Sequence, residues 1–278
     1  MTTPQEIITY LLPFVATAGS YSAQIQKEVG MHDAKPGETI FHSALSDADV
    51  TIQAYIEVAL LAKFPHVSFF SEEQEQSLNR KYFADDYELE VLLDPIDGTR
   101  SYVDSREQYQ VIVTIHDRTQ IVGAICHMPR RGHCYTAVRG GGAFILTEEE
   151  VRRAAQGKRH SVAGALGPVL VFNRPDLVEK LSPHVEVVDL LTSYLRTPGK
   201  HNMTDLMEGR AAATLHAPCQ GIDGGAIALI AAEAGATVSD FHGRPLGNFR
   251  ECSKRTVPNA LVSSSREMHE RILSALNP

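Results

Sequence analysis

An apolar run, Val91-Leu92-Leu93, leads directly into Asp94-Pro95-Ile96-Asp97-Gly98-Thr99-Arg100-Ser101-Tyr102, and this junction constrains the fold more than any other stretch. The run reads as the end of a buried strand. It delivers two carboxylates three residues apart, stiffened by Pro95, into a Gly-Thr turn. Hard divalent cations take oxygen ligands, commonly one or two carboxylates with water and substrate phosphate. Backbone N–H groups after Gly98 can approach an anion closely. Acids beside an anion-holding turn are compatible only if cations lie between them, so the junction points to a metal-dependent phosphate site. The plainer reading is an Asp-Pro-x-Asp-Gly turn whose acids cap and solvate a loop.

Other stretches add acids at the ends of elements. Phe64 through Ser71 reads as a short strand closing on Glu72-Glu73, with Glu75 nearby; a solvated loop is the alternative. Ser46-Asp47-Ala48-Asp49 opens a helical pattern carried by Ile52, Tyr55, Ile56 and Ala59, with Ser46 or Asp47 as N-cap. Ile222-Asp223-Gly224-Gly225 begins an Ala/Ile/Leu-rich helix that stops at Gly235. Asp223 there is either a dipole-compensating cap or a ligand. Gly140-Gly141-Gly142 lacks the lysine-serine ending of a nucleotide loop and reads as a hairpin turn.

Taken in order, these segments resemble the signatures of the inositol monophosphatase family, within the Mg²⁺-dependent, lithium-sensitive phosphatases. The strand ending in Glu72-Glu73, the Asp94–Thr99 motif, the glycine hairpin and the helix opened by Asp223 span residues 46–240. The resemblance implies an α+β fold, a layered α-β-α-β-α sandwich whose first sheet is antiparallel. It implies two or three Mg²⁺ ions, one held by Glu72, Asp94 and the Ile96 carbonyl and a second by Asp94, Asp97 and Asp223. It further implies hydrolysis of a small phosphorylated metabolite by metal-activated water. Thr99 would orient that water, Glu72 would accept its proton, and the N–H groups of Gly98 and Thr99 would hold the phosphate. Asp49 matches a family acid behind the metals, although a helix-start acid is the simpler reading. A homodimer is the assembly common among such relatives.

Bulk properties fit this class. At 278 residues and 43% hydrophobic content, the chain can bury one large core or two packed halves. The halves are expected as residues 1–146, with N-terminal helices, the first sheet and most ligands, and residues 147–278, with Asp223 and the specificity loops. Pro4 through Gly30 reads as one amphipathic helix, bent at Pro13, rather than a secretory signal. Without a membrane span or signal, a cytoplasmic protein is expected, its four cysteines reduced. The net charge of −8 argues against nucleic acid as the main partner. Arg152, Arg153, Lys158 and Arg159 read as a solvated face.

The alcohol carrying the phosphate is less legible. Where inositol-specific members carry a small-residue stretch and a hydroxyl-reading Glu, this chain has Thr197-Pro198-Gly199-Lys200-His201 and His216. Lys200 would meet a second anionic group or extend from a loop, and His216 would contact substrate or pack. Arg100-Ser101-Tyr102 resembles a variant of some histidinol-phosphate phosphatases, in which Asp104 would face a cationic amine or water. Inositol phosphate, 3′-phosphonucleotides and histidinol phosphate therefore stay open as substrates. A member of weak activity that binds a protein partner is the reading from another class, and five intact site residues argue against it.

Overall fold

The computed structural model describes residues 2–28, 47–73, 77–197, 199–216, 219–246, 256–257 and 259–278. Ser46, Gly30, Glu75, Pro198 and Cys252 lie outside this set. Helix α1 (Pro4–Ile25) starts at a capping box, in which the Thr3 side chain accepts from the Glu6 N–H and Glu6 bonds back to Thr3. It ends at Ile25, short of Gly30, and accommodates Pro13 in its interior. Helix α2 (Asp47–Lys63) presents Ile52, Ile56 and Leu60 along one buried stripe.

The first sheet has seven strands in sequential order: β1 (Ser68–Ser71), β2 (Glu90–Asp97), β3 (Gln110–His116), β4 (Ile121–Met128), β5 (His133–Val138), β6 (Gly142–Thr147) and β7 (Lys158–Arg159). Only β1–β2 is parallel; the other neighbouring strands of this sheet run antiparallel. Short helix α3 (Thr99–Val103) follows β2, and α4 (Glu148–Arg152) follows β6. Arg152 and Arg153 pair with Glu148 and Glu149 one helical turn away, the solvated arrangement expected of that stretch. Strand β7, beyond the acidic run, still adds an edge to this sheet.

The second sheet is mixed. Its order is β12 (Thr237–Ser239), β14 (Ala260–Ser263), β10 (Ala213–His216), β8 (Val169–Val171) and β9 (Val187–Asp189). A two-stranded ribbon joins β11 (Cys219–Gln220) to β13 (Thr256–Val257). Helices α5 (Pro175–Leu181), α6 (Leu190–Arg196), α7 (Asp223–Glu233) and α8 (Arg266–Leu276) complete the α+β fold.

Strand alternation sorts the core into layers. Val91 and Leu93 of β2, with Val111, Val113 and Ile115 of β3, face Ile7, Leu11, Ile52 and Ile56 of the first two helices. Leu92, Ile112 and Ala124 face the other way, onto Ile227 and Ile230 of α7. The far side of α7, through Ala228 and Ala231, meets Leu170 and Val262 of the second sheet. Val169, Val171, Leu215 and Leu261 then cover Leu177, Leu181 and Ile272 of α5 and α8. Helix, sheet, helix, sheet and helix therefore stack in the expected succession, and α7 is apolar all round because both its faces are covered. Each fully buried Leu or Ile contributes about 1.5–3 kcal/mol to this stacking. Cys126 and Cys134 are free, buried thiols on opposite faces of adjacent strands. Among the described residues no helix is long and apolar enough to cross a membrane.

Candidate active site

Strand β2 is buried until its last residue, and its pairing with β3 breaks where the acids begin. Asp94 pairs with Ile112 and Asp97 with Gln110, so β2 carries one residue more than β3 across this interval. Pro95 has no N–H to give a ladder, which makes a bulge the natural solution. The Asp94 carboxylate closes the bulge by accepting from the Ile96 N–H at 2.9 Å. The Thr99 hydroxyl donates to the Ile96 carbonyl at 2.9 Å and fixes the start of α3.

Between them Gly98 adopts φ +88°, and a Cβ there would lie 2.9 Å from the Gln108 carbonyl. Both the left-handed backbone and the close approach require glycine. Helix α3 is anchored from below. The Tyr102 hydroxyl donates to the Ser22 carbonyl of α1 at 2.9 Å, and its ring meets Tyr109 edge-on at 4.9 Å.

Asp223 arrives as the first residue of α7. Thr114 of β3 donates its hydroxyl to the Ile222 carbonyl at 2.7 Å, tying the first turn of α7 to the sheet. As a result Asp94, Asp97 and Asp223 each offer a carboxylate oxygen, all within 4.8 Å of one another. Glu72 lies outside this tightest set, yet its backbone N–H bonds the Leu93 carbonyl at 3.0 Å and its charge acts on both Asp94 and Asp223. Asp49, buried in the first turn of α2, adds its charge to Asp94 as well.

The electrostatics follow. Burial pushes the Asp94 carboxyl well above the usual carboxylate range, and Glu72, Asp223, Asp97 and Asp49 push it further. Asp223 is raised likewise by burial, Asp97 and Glu72, against a lowering hydrogen bond with Asp94. Two like charges 4 Å apart repel by ~4 kcal/mol at an effective dielectric near 20. Such a set holds its charge only when cations or protons compensate it. All its donors are hard oxygens, the ligand chemistry that divalent Mg²⁺ requires, so the residues present fit that ion.

Two residues that carry this geometry escaped the sequence reading. Gln110 donates its amide N–H to Asp97 Oδ2, and Thr114 positions α7. The available signal was polar residues at alternate positions of an otherwise apolar Gln-Val-Ile-Val-Thr-Ile strand. Of the specificity candidates, Lys200 is exposed on a loop whose Gly199 carbonyl accepts from Gln108 at 3.0 Å. Because the Gln108 carbonyl borders Gly98, this loop stands beside the Gly-Thr turn. Asp104 accepts from Arg100 at 3.0 Å and from the Tyr194 hydroxyl. His216 is buried at the end of β10 with its Nε2 unpartnered among the described residues, and burial lowers its pKa to about 4. Glu73 is buried, and its carbonyl accepts from Gln53 at 3.0 Å.

Layers and acids together define a sandwich with a carboxylate centre where the end of β2 meets the start of α7. The sequence profile of the inositol monophosphatase family matches residues 14–278, and the chain belongs to that family. It is 30% identical over 122 residues to an inositol-1-monophosphatase of Rhizobium meliloti, covering 44% of this chain and 42% of that protein. A 3′(2′),5′-bisphosphate nucleotidase of Haemophilus influenzae is 24% identical over 159 residues, 55% of each chain. The matches thus span about half the length of these two relatives. A histidinol-phosphatase of Chlorobaculum parvum is 26% identical over 205 residues, 72% of this chain and 73% of that one. The solved structure of an IMPase from Thermotoga maritima superposes with a TM-score of 0.70 over 96% of this chain and 94% of its own. At 17% identity that likeness concerns the fold.

Proposed function

We propose that this protein is a divalent-cation-dependent phosphomonoesterase acting on a small phosphorylated metabolite. The observation that carries the reading is the convergence of Asp94, Asp97 and Asp223 beside the Gly98-Thr99 turn. Mg²⁺ would be held by Glu72, Asp94 and the Ile96 carbonyl, and by Asp94, Asp97 and Asp223. Bound there, the cations would neutralise the ester and make water nucleophilic near neutral pH. The protein's own groups do the rest. Thr99, held against Ile96, orients the attacking water, and Glu72 accepts its proton. The N–H groups of Gly98 and Thr99 receive the phosphate oxygens as charge redistributes.

Two observations bear on the substrate. Asp104 is already offset by Arg100 and bonded by Tyr194, so it is not reserved for a substrate amine, as histidinol phosphate would need. Lys200 stands on a loop tethered next to the phosphate turn, which favours an ester with a second anionic group. His216, neutral at pH 7, would contact substrate as a hydrogen-bonding group rather than a charge.

A phosphate-release assay with inositol 1-phosphate, 3′-phosphoadenosine 5′-phosphate, histidinol phosphate and fructose 1,6-bisphosphate tests the reading. Release should require Mg²⁺, fall with lithium and be fastest on a bis-anionic ester. Asp97→Asn should fold normally and lose about 10³-fold in rate, since charge stabilisation by a bound cation is worth several kcal/mol. No release from any ester, or a wild-type rate in Asp97→Asn, would overturn it.

A further inference from the structure

We infer that Gln110 is a positioning residue of the carboxylate centre, holding Asp97 in the orientation that accepts a cation; this rests on the metal-dependent reading above. Gln110 stands directly across the bulge from Asp97 in the β2–β3 register and donates its Nε2 to Asp97 Oδ2. It is 2% exposed, and its other amide atom, Oε1, is buried without a hydrogen-bond partner among the described residues.

Packing does not explain the choice of residue. Its face of β3 continues through Ile112 and Thr114 onto α7, and Ile112 shows that an apolar side chain is accommodated there. A buried amide oxygen left unpaired is destabilising, so burial of that oxygen alone would favour a hydrophobic residue. The amide does something an apolar group cannot. It restricts rotation of the Asp97 carboxylate while leaving its charge intact. A lysine or arginine would also hold Asp97, but it would place a competing positive charge where a cation is to bind. A neutral amide partner orients a ligand without being one, and its loss typically weakens a metal site by about 10–100-fold.

The test is Mn²⁺ binding by calorimetry to the wild type and to Gln110→Met, with the melting temperature of both measured in chelator. Gln110→Met should bind Mn²⁺ about tenfold more weakly. Its metal-free melting temperature should stay within a few degrees of the wild type, because the lost bond to Asp97 is offset by removal of the unpaired buried Oε1. Gln110→Asn keeps the amide but stops one methylene short of Asp97, and gives the same reading if the Met variant does not fold. Unchanged Mn²⁺ affinity in the variants would overturn the inference and leave the functional reading intact. A large fall in metal-free stability accompanying the weaker binding would assign a structural role and overturn it too. A wild type that binds no Mn²⁺ would overturn both.

Discussion

Burial at residue 216 removes the imidazole's capacity to carry charge near neutrality. Its pKa falls to about 4 from an ordinary 6.5, so between these values the unfolded chain binds a proton that the folded chain refuses. Stability is therefore complete above pH 6.5 and declines as pH falls toward 4, by up to about 3 kcal/mol. In urea unfolding, His216→Leu should lose less stability than the wild type between pH 7 and pH 4; parallel pH slopes would refute this. The acids were legible because a carboxylate after an apolar run is conspicuous. Gln110 was not, since its bond to Asp97 depends on a register that the bulge sets, and a glutamine at a strand start looks solvated. Asp49 looked like a helix-start acid; it is also buried, with its charge acting on Asp94.

Elements place the acids, and each does so through a local irregularity. The bulge in β2 and the left-handed Gly98 follow from Pro95 and from the Gly-Thr pair, which is why that corner could be read from the chain. Helix α7 is different. Its composition announced a buried helix, but the tether that aims its first residue is a threonine hydroxyl far away in sequence. Replacing Thr114 by isosteric Val removes this bond. Urea unfolding should show a loss of about 1 kcal/mol, and Mn²⁺ affinity should fall because Asp223 is less well held. A variant unchanged in both would show that packing alone positions the helix.

The whole molecule is two sheets clasped around α7, and a buried charge network joins them. Glu208, just before β10, pairs with Arg131 and His133 of the β4–β5 hairpin and with Arg210. Burial raises its pKa, but the nearby His133 imidazole, the hydrogen bond from Arg131 and the charges of Arg131 and Arg210 outweigh that and bring it to about 2. The resulting stability is present above pH 4.5 and lost as pH falls toward 2. Glu208→Gln should cost about 2 kcal/mol at pH 7, a gap that closes by pH 2. A constant gap in acid titrations of unfolding would contradict this. None of these partners is near Glu208 in sequence except Arg210, so the network was invisible there, whereas the order of layers followed from hydrophobic periodicity and the resemblance of motifs. The function rests on Asp94 and Asp97 of β2 and Asp223 of α7 binding divalent cations together. Crystals soaked in Mn²⁺ and measured at its absorption edge test it directly: anomalous peaks should lie within bonding distance of Asp94, Asp97 and Asp223, whereas none there, despite peaks elsewhere, would contradict it.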